Sequence, residues 1–223
     1  MSDINFEGNS KQRTPCVLVL DCSGSMTGDP IKELNAGLRE FKKALIEDHV
    51  ALTSVSVCVI SVGGPYSSAD LMMDFVDAID FEPAELQADG ATPLGAGVIL
   101  ALDKIEEFKR EAKLHDTKYT RPWLFVMSDG EPTDDSDVWS EAVRRAQEAE
   151  TGKKAIVFSI AIGKANTTKL GEITKKSVAQ MSGVKFKEFF VWLSGSLSRA
   201  SRTTEGTDLQ LPPRDSWSFA DGS

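Results

Sequence analysis

Val17-Leu18-Val19-Leu20-Asp21-Cys22-Ser23-Gly24-Ser25-Met26 joins an unbroken aliphatic run to an acid, which two hydroxyls then follow at alternate positions. A run with no polar residue at every second place predicts a strand buried on both faces, as in the centre of a parallel sheet. Gly24 permits a tight turn directly after it. The strand thus carries one carboxylate and two hydroxyl oxygens to its carboxyl end, where open α/β sheets bind ligands. Clustered oxygen donors without a His or Cys ligand pattern suit Mg²⁺ or a similar hard cation.

Outward from this stretch, helix and strand signals alternate. Asp29-Pro30 reads as an N-cap with proline at the first helical position, and Ile31, Leu34, Leu38, Phe41 and Leu45 recur at steps of three and four. Thr53 to Val62 predicts a second strand, ended by Gly63-Gly64-Pro65, and Leu71 to Val76 a short antiparallel edge strand. Phe81 to Ala91 has no period and reads as loop, running into Gly90-Ala91-Thr92-Pro93-Leu94-Gly95. A helix follows with Val98, Leu102, Ile105 and Phe108 on one side, then a polar link from Lys109 to Arg121. Trp123 to Met127 predicts another buried strand, stopped by Ser128-Asp129-Gly130-Glu131-Pro132-Thr133.

A helix over Ser136 to Glu150, a strand over Ala155 to Ile162, a helical turn at Leu170 to Ile173, a short strand at Ser177 to Met181 and a helix over Phe186 to Arg202 complete the pattern. The fold class this predicts is α/β: a doubly wound, mostly parallel central sheet with helices on both faces and right-handed crossovers. Residues 1–14 read as a loose leader and 15–202 as one domain. Residues 203–223 read as an extended tail that Trp217 and Phe219 pin to the body.

Lys and Arg number 25 against 34 Asp and Glu, a net charge of −9, which argues against nonspecific nucleic-acid binding and against anionic membrane surfaces. No apolar run reaches membrane-spanning length, and the polar N-terminus has no signal core. Cys16, Cys22 and Cys58 have no CxxC spacing and read as reduced thiols of a cytoplasmic protein.

In a doubly wound sheet, loops after neighbouring strands converge on one edge, so Asp21, Ser23 and Ser25 can meet Thr92 and Asp129. Asp-x-Ser-x-Ser after the first strand, Thr-Pro in a Gly-flanked loop and Ser-Asp-Gly after a later strand resemble a von Willebrand factor A domain, from roughly Cys16 to Arg202. The resemblance implies a metal-ion-dependent adhesion site. Ser23, Ser25 and Thr92 would donate oxygens directly to Mg²⁺ (or Mn²⁺ or Ca²⁺), and Asp21 and Asp129 would bind it directly or through waters. One coordination position would stay open for an Asp or Glu of a protein partner.

Asp21-Cys22-Ser23-Gly24-Ser25-Met26, Gly90-Ala91-Thr92-Pro93-Leu94-Gly95, Phe186-Lys187-Glu188-Phe189-Phe190-Val191-Trp192-Leu193-Ser194 and the late Leu211-Pro212-Pro213 are similar to the bacterial TerY-like branch linked to tellurium resistance. That implies a scaffold in a stress-response system with phosphatase- or kinase-like partners, and no enzymatic activity of its own.

Other readings stand beside this one. Asp21 alone fits a turn-capping acid, Ser23 and Ser25 fit turn hydroxyls, and Thr92 fits an N-cap before Pro93. Asp134, Asp135 and Asp137 fit helix-start charges placed against the dipole, and lack the spacing of a calcium loop. His49 and His115 lie far from the motif and near helix ends. A metal-dependent hydrolase or phosphatase using the same oxygens is the functional alternative. No Gly-x-x-x-x-Gly-Lys loop, Gly-x-Gly-x-x-Gly turn or Gly-x-Ser-x-Gly elbow supports it.

Overall fold

The computed structural model describes residues 4, 11–163, 165–181, 183–202 and 211–218. Its strands are β1 (Thr14–Cys22), β2 (Val55–Gly63), β3 (Ser68–Asp77), β4 (Trp123–Ser128), β5 (Ile156–Ala161) and β6 (Ala179–Gln180). Its helices are α1 (Asp29–Glu47), α2 (His49–Ser54), α3 (Leu94–Leu114), α4 (Ser136–Thr151), α5 (Thr167–Glu172) and α6 (Phe186–Ser201). The strands form one sheet in the order β3-β2-β1-β4-β5-β6, all parallel except β3, which pairs antiparallel with β2.

The unbroken apolar run of β1 is explained by two separate cores. Leu18 and Leu20 face the side where α1 and α6 lie, through Leu38, Phe41, Phe186 and Phe190. Val17 and Val19 face the side of α3 and α4, through Val98, Ile105 and Ala142. The chain leaves β1 toward β2 on one side and returns to β4 on the other, so strand order reverses between β1 and β4. Ligand crevices of open α/β sheets open at such a switch point, and Asp21 and Asp129 stand on its two sides.

Several boundaries differ from the sequence expectations. Arg13 and Thr14, read as part of a leader, are wholly buried. Arg13 makes a bidentate pair with Asp77 at 2.7 and 3.0 Å, which lets a charged residue enter the core. The stretch His49–Ser54 forms α2, too short to show a period; Asp48 caps it by accepting from the amides of Val50 and Ala51 at 2.9 and 3.0 Å. Gly28, at φ 94°, rather than Asp29 is the N-cap of α1. The edge strand β3 runs to ten residues because its polar start, Ser68 to Asp70, lies on the exposed rim. Helix α3 continues to Leu114, shortening the polar link, because its last charged turns keep Ala112 in the core.

Trp217 is 1% exposed and meets Phe189 and Trp192 at ring distances of 5.0 and 5.2 Å. The Trp192 indole donates to the Pro212 carbonyl at 3.0 Å, and Ser218 bridges to Met181. Trp217 therefore fastens the described part of the tail as anticipated, while Phe219 lies outside the described residues. No helix among the described residues is long and apolar enough to cross a membrane.

Candidate functional site

Asp21 stands one residue from the end of β1 and has no exposure. Its Oδ1 accepts from the Ser23 amide at 2.8 Å, and its Oδ2 accepts from the Ser128 hydroxyl at the end of β4. Both oxygens are thereby fixed, and the turn that follows is fixed with them. Gly24 begins a 3-10 turn to Met26 and donates to the Gly90 carbonyl at 2.9 Å.

The long loop between β3 and α3 is held by side-chain bonds and by backbone bonds to the turn after β1. Asn35 on α1 grips the Leu86 backbone from both sides at 2.9 Å. The Asp89 amide donates to the Cys22 carbonyl at 3.0 Å and the Ala91 amide to the Ser67 hydroxyl at 2.9 Å. At Gly90 (φ 70°) a Cβ would meet the Gly64 carbonyl at 2.4 Å, so only glycine fits this crossing.

Thr92 emerges from that loop 5% exposed. Its amide donates to Thr133 Oγ1 at 3.0 Å, and the Thr133 amide donates back to its carbonyl at 2.9 Å. Its hydroxyl does not cap α3, whose N-cap position is Pro93. The cap comes from across the crevice. Asp134 accepts from the amides of Gly95 and Ala96 at 2.7 and 2.9 Å. This corrects the reading of Asp134 as a charge serving its own helix: it serves the N-terminus of α3, while Asp135 is the N-cap of α4 and Asp137 lies in its first turn.

The expected site residues do converge. Ser23 Oγ and Ser25 Oγ lie 2.9 Å apart, and Ser25 Oγ donates to Asp129 Oδ1 at 2.7 Å. A Cβ placed on Gly130 would stand 3.6 Å from Thr92 Oγ1 and 3.9 Å from Ser25 Oγ, which puts these two hydroxyls on the same side of the β4 loop. Burial lifts the Asp129 carboxyl above its ordinary value; the Ser25 hydrogen bond opposes this and the Asp21 charge adds to it. Such a carboxylate gains by acquiring a cation beside it.

The donor set fits a hard cation. All five side chains offer oxygen. Adjacent oxygens 2.7 and 2.9 Å apart are close to the edge of an octahedron with metal–oxygen distances of about 2.1 Å. No group of three or more His, Cys, Asp or Glu among the described residues could hold a metal, so any metal here depends on the hydroxyls. Cys22, between two of these residues, faces the core, and burial, then the Asp21 charge, pushes its thiol up to about 12. His49 opens α2 and His115 caps the far end of α3, both at the opposite end of the helices.

A model of the von Willebrand factor type A domain matches residues 16–190. The chain belongs to this family. No curated protein matches it. The pilus adhesin SpaC of Lactobacillus rhamnosus GG, in its open conformation, superposes with a TM-score of 0.68 at 14% identity, over 86% of this chain and 31% of the adhesin. The von Willebrand domain of the type V pilus tip protein Mfa5 of Porphyromonas gingivalis gives 0.63 at 11% identity, over 88% and 99%. Proximal thread matrix protein 1 of the mussel byssus, in a structure described as having a zinc-occupied MIDAS motif, gives 0.56 at 15% identity, over 85% and 49%. The chain thus spans about a third of the adhesin and about half of the byssus protein, and at these identities the likeness is one of fold.

Within this von Willebrand A domain, Ser128, Thr133, Asp134 and Asn35 hold the loops together although none of them is among the five expected ligands. Ser128 and Thr133 stand beside Asp129 in the quoted stretch, but nothing in the spacing says that they reach Asp21 and Thr92. Asn35 had a weak signal as a polar residue near the buried side of α1, where it is 4% exposed.

Proposed function

We propose that this domain is a Mg²⁺-dependent protein-interaction module whose metal is held by Ser23, Ser25 and Thr92, with Asp21 and Asp129 behind them. The observation that carries this reading is the hydroxyl chain from Ser23 through Ser25 to Asp129, closed by Thr92 around Gly130. Two carboxylates and three neutral hydroxyls suit the small octahedral ion better than Ca²⁺, which takes more oxygens at longer range. When bound there, the ion would supply residual positive charge able to attract an Asp or Glu of a partner protein. Recognition of a carboxylate by an acidic chain is consistent with that arrangement. The zinc-occupied motif of the byssus protein supports a metal at this place in the fold.

The resemblance of the quoted stretches to the TerY-like branch supports reading the module as a scaffold of the bacterial cytoplasm, in a tellurium-resistance or stress-response system with phosphatase- or kinase-like partners. Its action is binding rather than turnover: neither His lies at the crevice, and Asp21, the most buried acid of the cluster, has both oxygens engaged. Wild type and Ser25→Ala, immobilised and exposed to a native lysate with Mg²⁺ and then with EDTA, test this. A protein retained by wild type with Mg²⁺ alone is the expected result. Equal capture in all four conditions would contradict it, and so would turnover of a phosphoester that depends on Ser25.

A further inference from the structure

Tyr66 stands 89% exposed. A single exposed apolar side chain needs no explanation by itself, and Leu114, 73% exposed at the far end of α3, has none. Tyr66 differs by its place. It lies in the turn of residues 64–67 between β2 and β3, which the Ser67 amide closes by donating to the Gly64 carbonyl at 2.9 Å. Pro65, before it, fixes the backbone at the second position of the turn, and turn geometry asks for no aromatic residue at the third.

This turn is bonded to the loops of the candidate site. The Cys22 carbonyl accepts from the Gly64 amide at 3.2 Å as well as from the Asp89 amide. Ser67 is held at φ 48°, uncommon for a residue with a side chain, and its hydroxyl accepts from the Ala91 amide beside Thr92. Gly90 lies against the Gly64 carbonyl on one side, and its own carbonyl accepts from the Gly24 amide on the other. Ser25, Gly24, Gly90 and Tyr66 are all exposed. One continuous surface therefore runs from the hydroxyl cluster to the ring, over glycine backbone.

The acids beside this surface lack cations. Asp70 accepts from the Ser68 hydroxyl and Asp89 from the Gly90 amide, both at 2.7 Å. Both are exposed, and neither meets a Lys or Arg among the described residues. By contrast, Glu85 pairs with Arg39 at 3.0 Å and Glu148 with Arg144 at 2.6 Å. A partner segment offering only a carboxylate to the crevice would approach Asp70, Asp89 and Asp129, all of its own sign. A cation next to that carboxylate turns the repulsion into attraction. Arg suits the place, since its planar group stacks on a tyrosine ring and pairs with carboxylates.

We propose that the partner segment carries an Arg close to its acidic residue, and that Tyr66, with Asp70 and Asp89, seats this Arg. The inference rests on the reading of the crevice as a carboxylate receptor and adds a second determinant to it. The braced turn holds the ring in place before the partner arrives, which lowers the ordering cost of binding.

The test uses the full chain and a displayed library of nine-residue peptides with a fixed central Glu and randomised flanks, selected in Mg²⁺ and in EDTA. Variants are Tyr66→Ala, Tyr66→Phe, Asp70→Asn/Asp89→Asn, Ser25→Ala and the control Leu114→Ala, each first checked for an unchanged melting temperature. Wild type in Mg²⁺ is expected to enrich Arg at one fixed offset from the Glu. The resynthesised peptide should bind Tyr66→Ala and the double Asn variant at least fivefold more weakly, and Tyr66→Phe and Leu114→Ala as wild type. Replacing the peptide's Arg by Ala should cost at least fivefold against wild type and less than twofold against Tyr66→Ala.

Enrichment of apolar residues in place of Arg, or no enrichment at all, overturns the proposal. Mg²⁺-dependent, Ser25-dependent selection of the Glu peptides with no flanking preference, or with one that Tyr66→Ala leaves intact, overturns it too and leaves the metal reading standing. Arg selection that persists in EDTA and in Ser25→Ala but is lost in Tyr66→Ala keeps the Arg seat and removes the metal reading.

Discussion

Asp21 and Ser128 meet side chain to side chain across the gap between β1 and β4, 107 residues apart in sequence, while the other Asp21 oxygen holds the Ser23 amide at 2.8 Å. Asp21 is therefore a structural acid as well as a candidate ligand. Replacing it by Ala leaves two donors without acceptors, at a cost of about 1–3 kcal/mol each where they are buried. Asp21→Ala is expected to lose stability in urea unfolding whether or not metal is present. Ser25, exposed and bonded only within the cluster, is expected to lose no more than about 0.5 kcal/mol as Ala. Equal stability of wild type and Asp21→Ala would show that the bonds to Ser23 and Ser128 carry nothing.

Asp134 holds the first turn of α3 through the Gly95 and Ala96 amides at 2.7 and 2.9 Å. Asp134→Ala is expected to cost about 1–2 kcal/mol, the range for a lost helix cap, with Asp134→Asn losing less because one oxygen acceptor remains. Amide exchange localises the effect: Gly95 and Ala96 should lose protection in Asp134→Ala before the strands do. Unchanged protection at those two amides would contradict the cap.

The buried pair of Arg13 and Asp77 gives a third outcome. Arg13→Met strands the Asp77 carboxylate, which is 8% exposed, and is expected to cost about 3–5 kcal/mol. Arg13→Met combined with Asp77→Leu should recover most of that loss, because it removes the stranded charge. A double variant as unstable as the single one would show that Arg13 acts through packing instead. Chemical denaturation of wild type and the two variants decides.

Cys16, Cys22 and Cys58 are buried, and burial raises all three thiols, with Cys22 at about 12. An unfolded thiol ionises near roughly 8.5, so above that pH the folded chain keeps protons that the unfolded chain releases. Stability contributed by this difference is whole below about pH 8.5 and falls as pH rises towards the folded values, by about 1.4 kcal/mol per pH unit for each thiol. Urea midpoints at pH 8, 9 and 10 should fall steeply in wild type and less steeply in a Cys16→Ala/Cys58→Ala variant. Native thiols should also resist alkylation at pH 8 except through opening of the fold.

The particular residues show why the fold was legible before any coordinates and the clasp around the site was not. The aliphatic run of β1 and the three-and-four spacing on α1 encode burial directly, because side-chain direction follows a fixed period in each element. The convergence of Asp21, Ser23, Ser25, Thr92 and Asp129 could be anticipated because Asp21 closes β1, Ser23 and Ser25 follow it, Thr92 precedes α3 and Asp129 follows β4. The role of Asp134 could not: its position in sequence points to α4, and only the approach of two loops turns it towards α3. Arg13 was hidden for the same reason, since its partner Asp77 lies 64 residues away and nothing local marks the pair as buried. Helix α2 escaped because six residues are too few to show a period.

The measurement that bears most directly on the central claim is calorimetric titration of Mg²⁺ into chelator-treated wild type and Ser25→Ala. Wild type is expected to bind one equivalent, and Ser25→Ala, with its stability intact, to bind at least tenfold more weakly. Equal heats in the two proteins, or no heat in either, would contradict a divalent-cation site built on Ser23, Ser25, Thr92, Asp21 and Asp129.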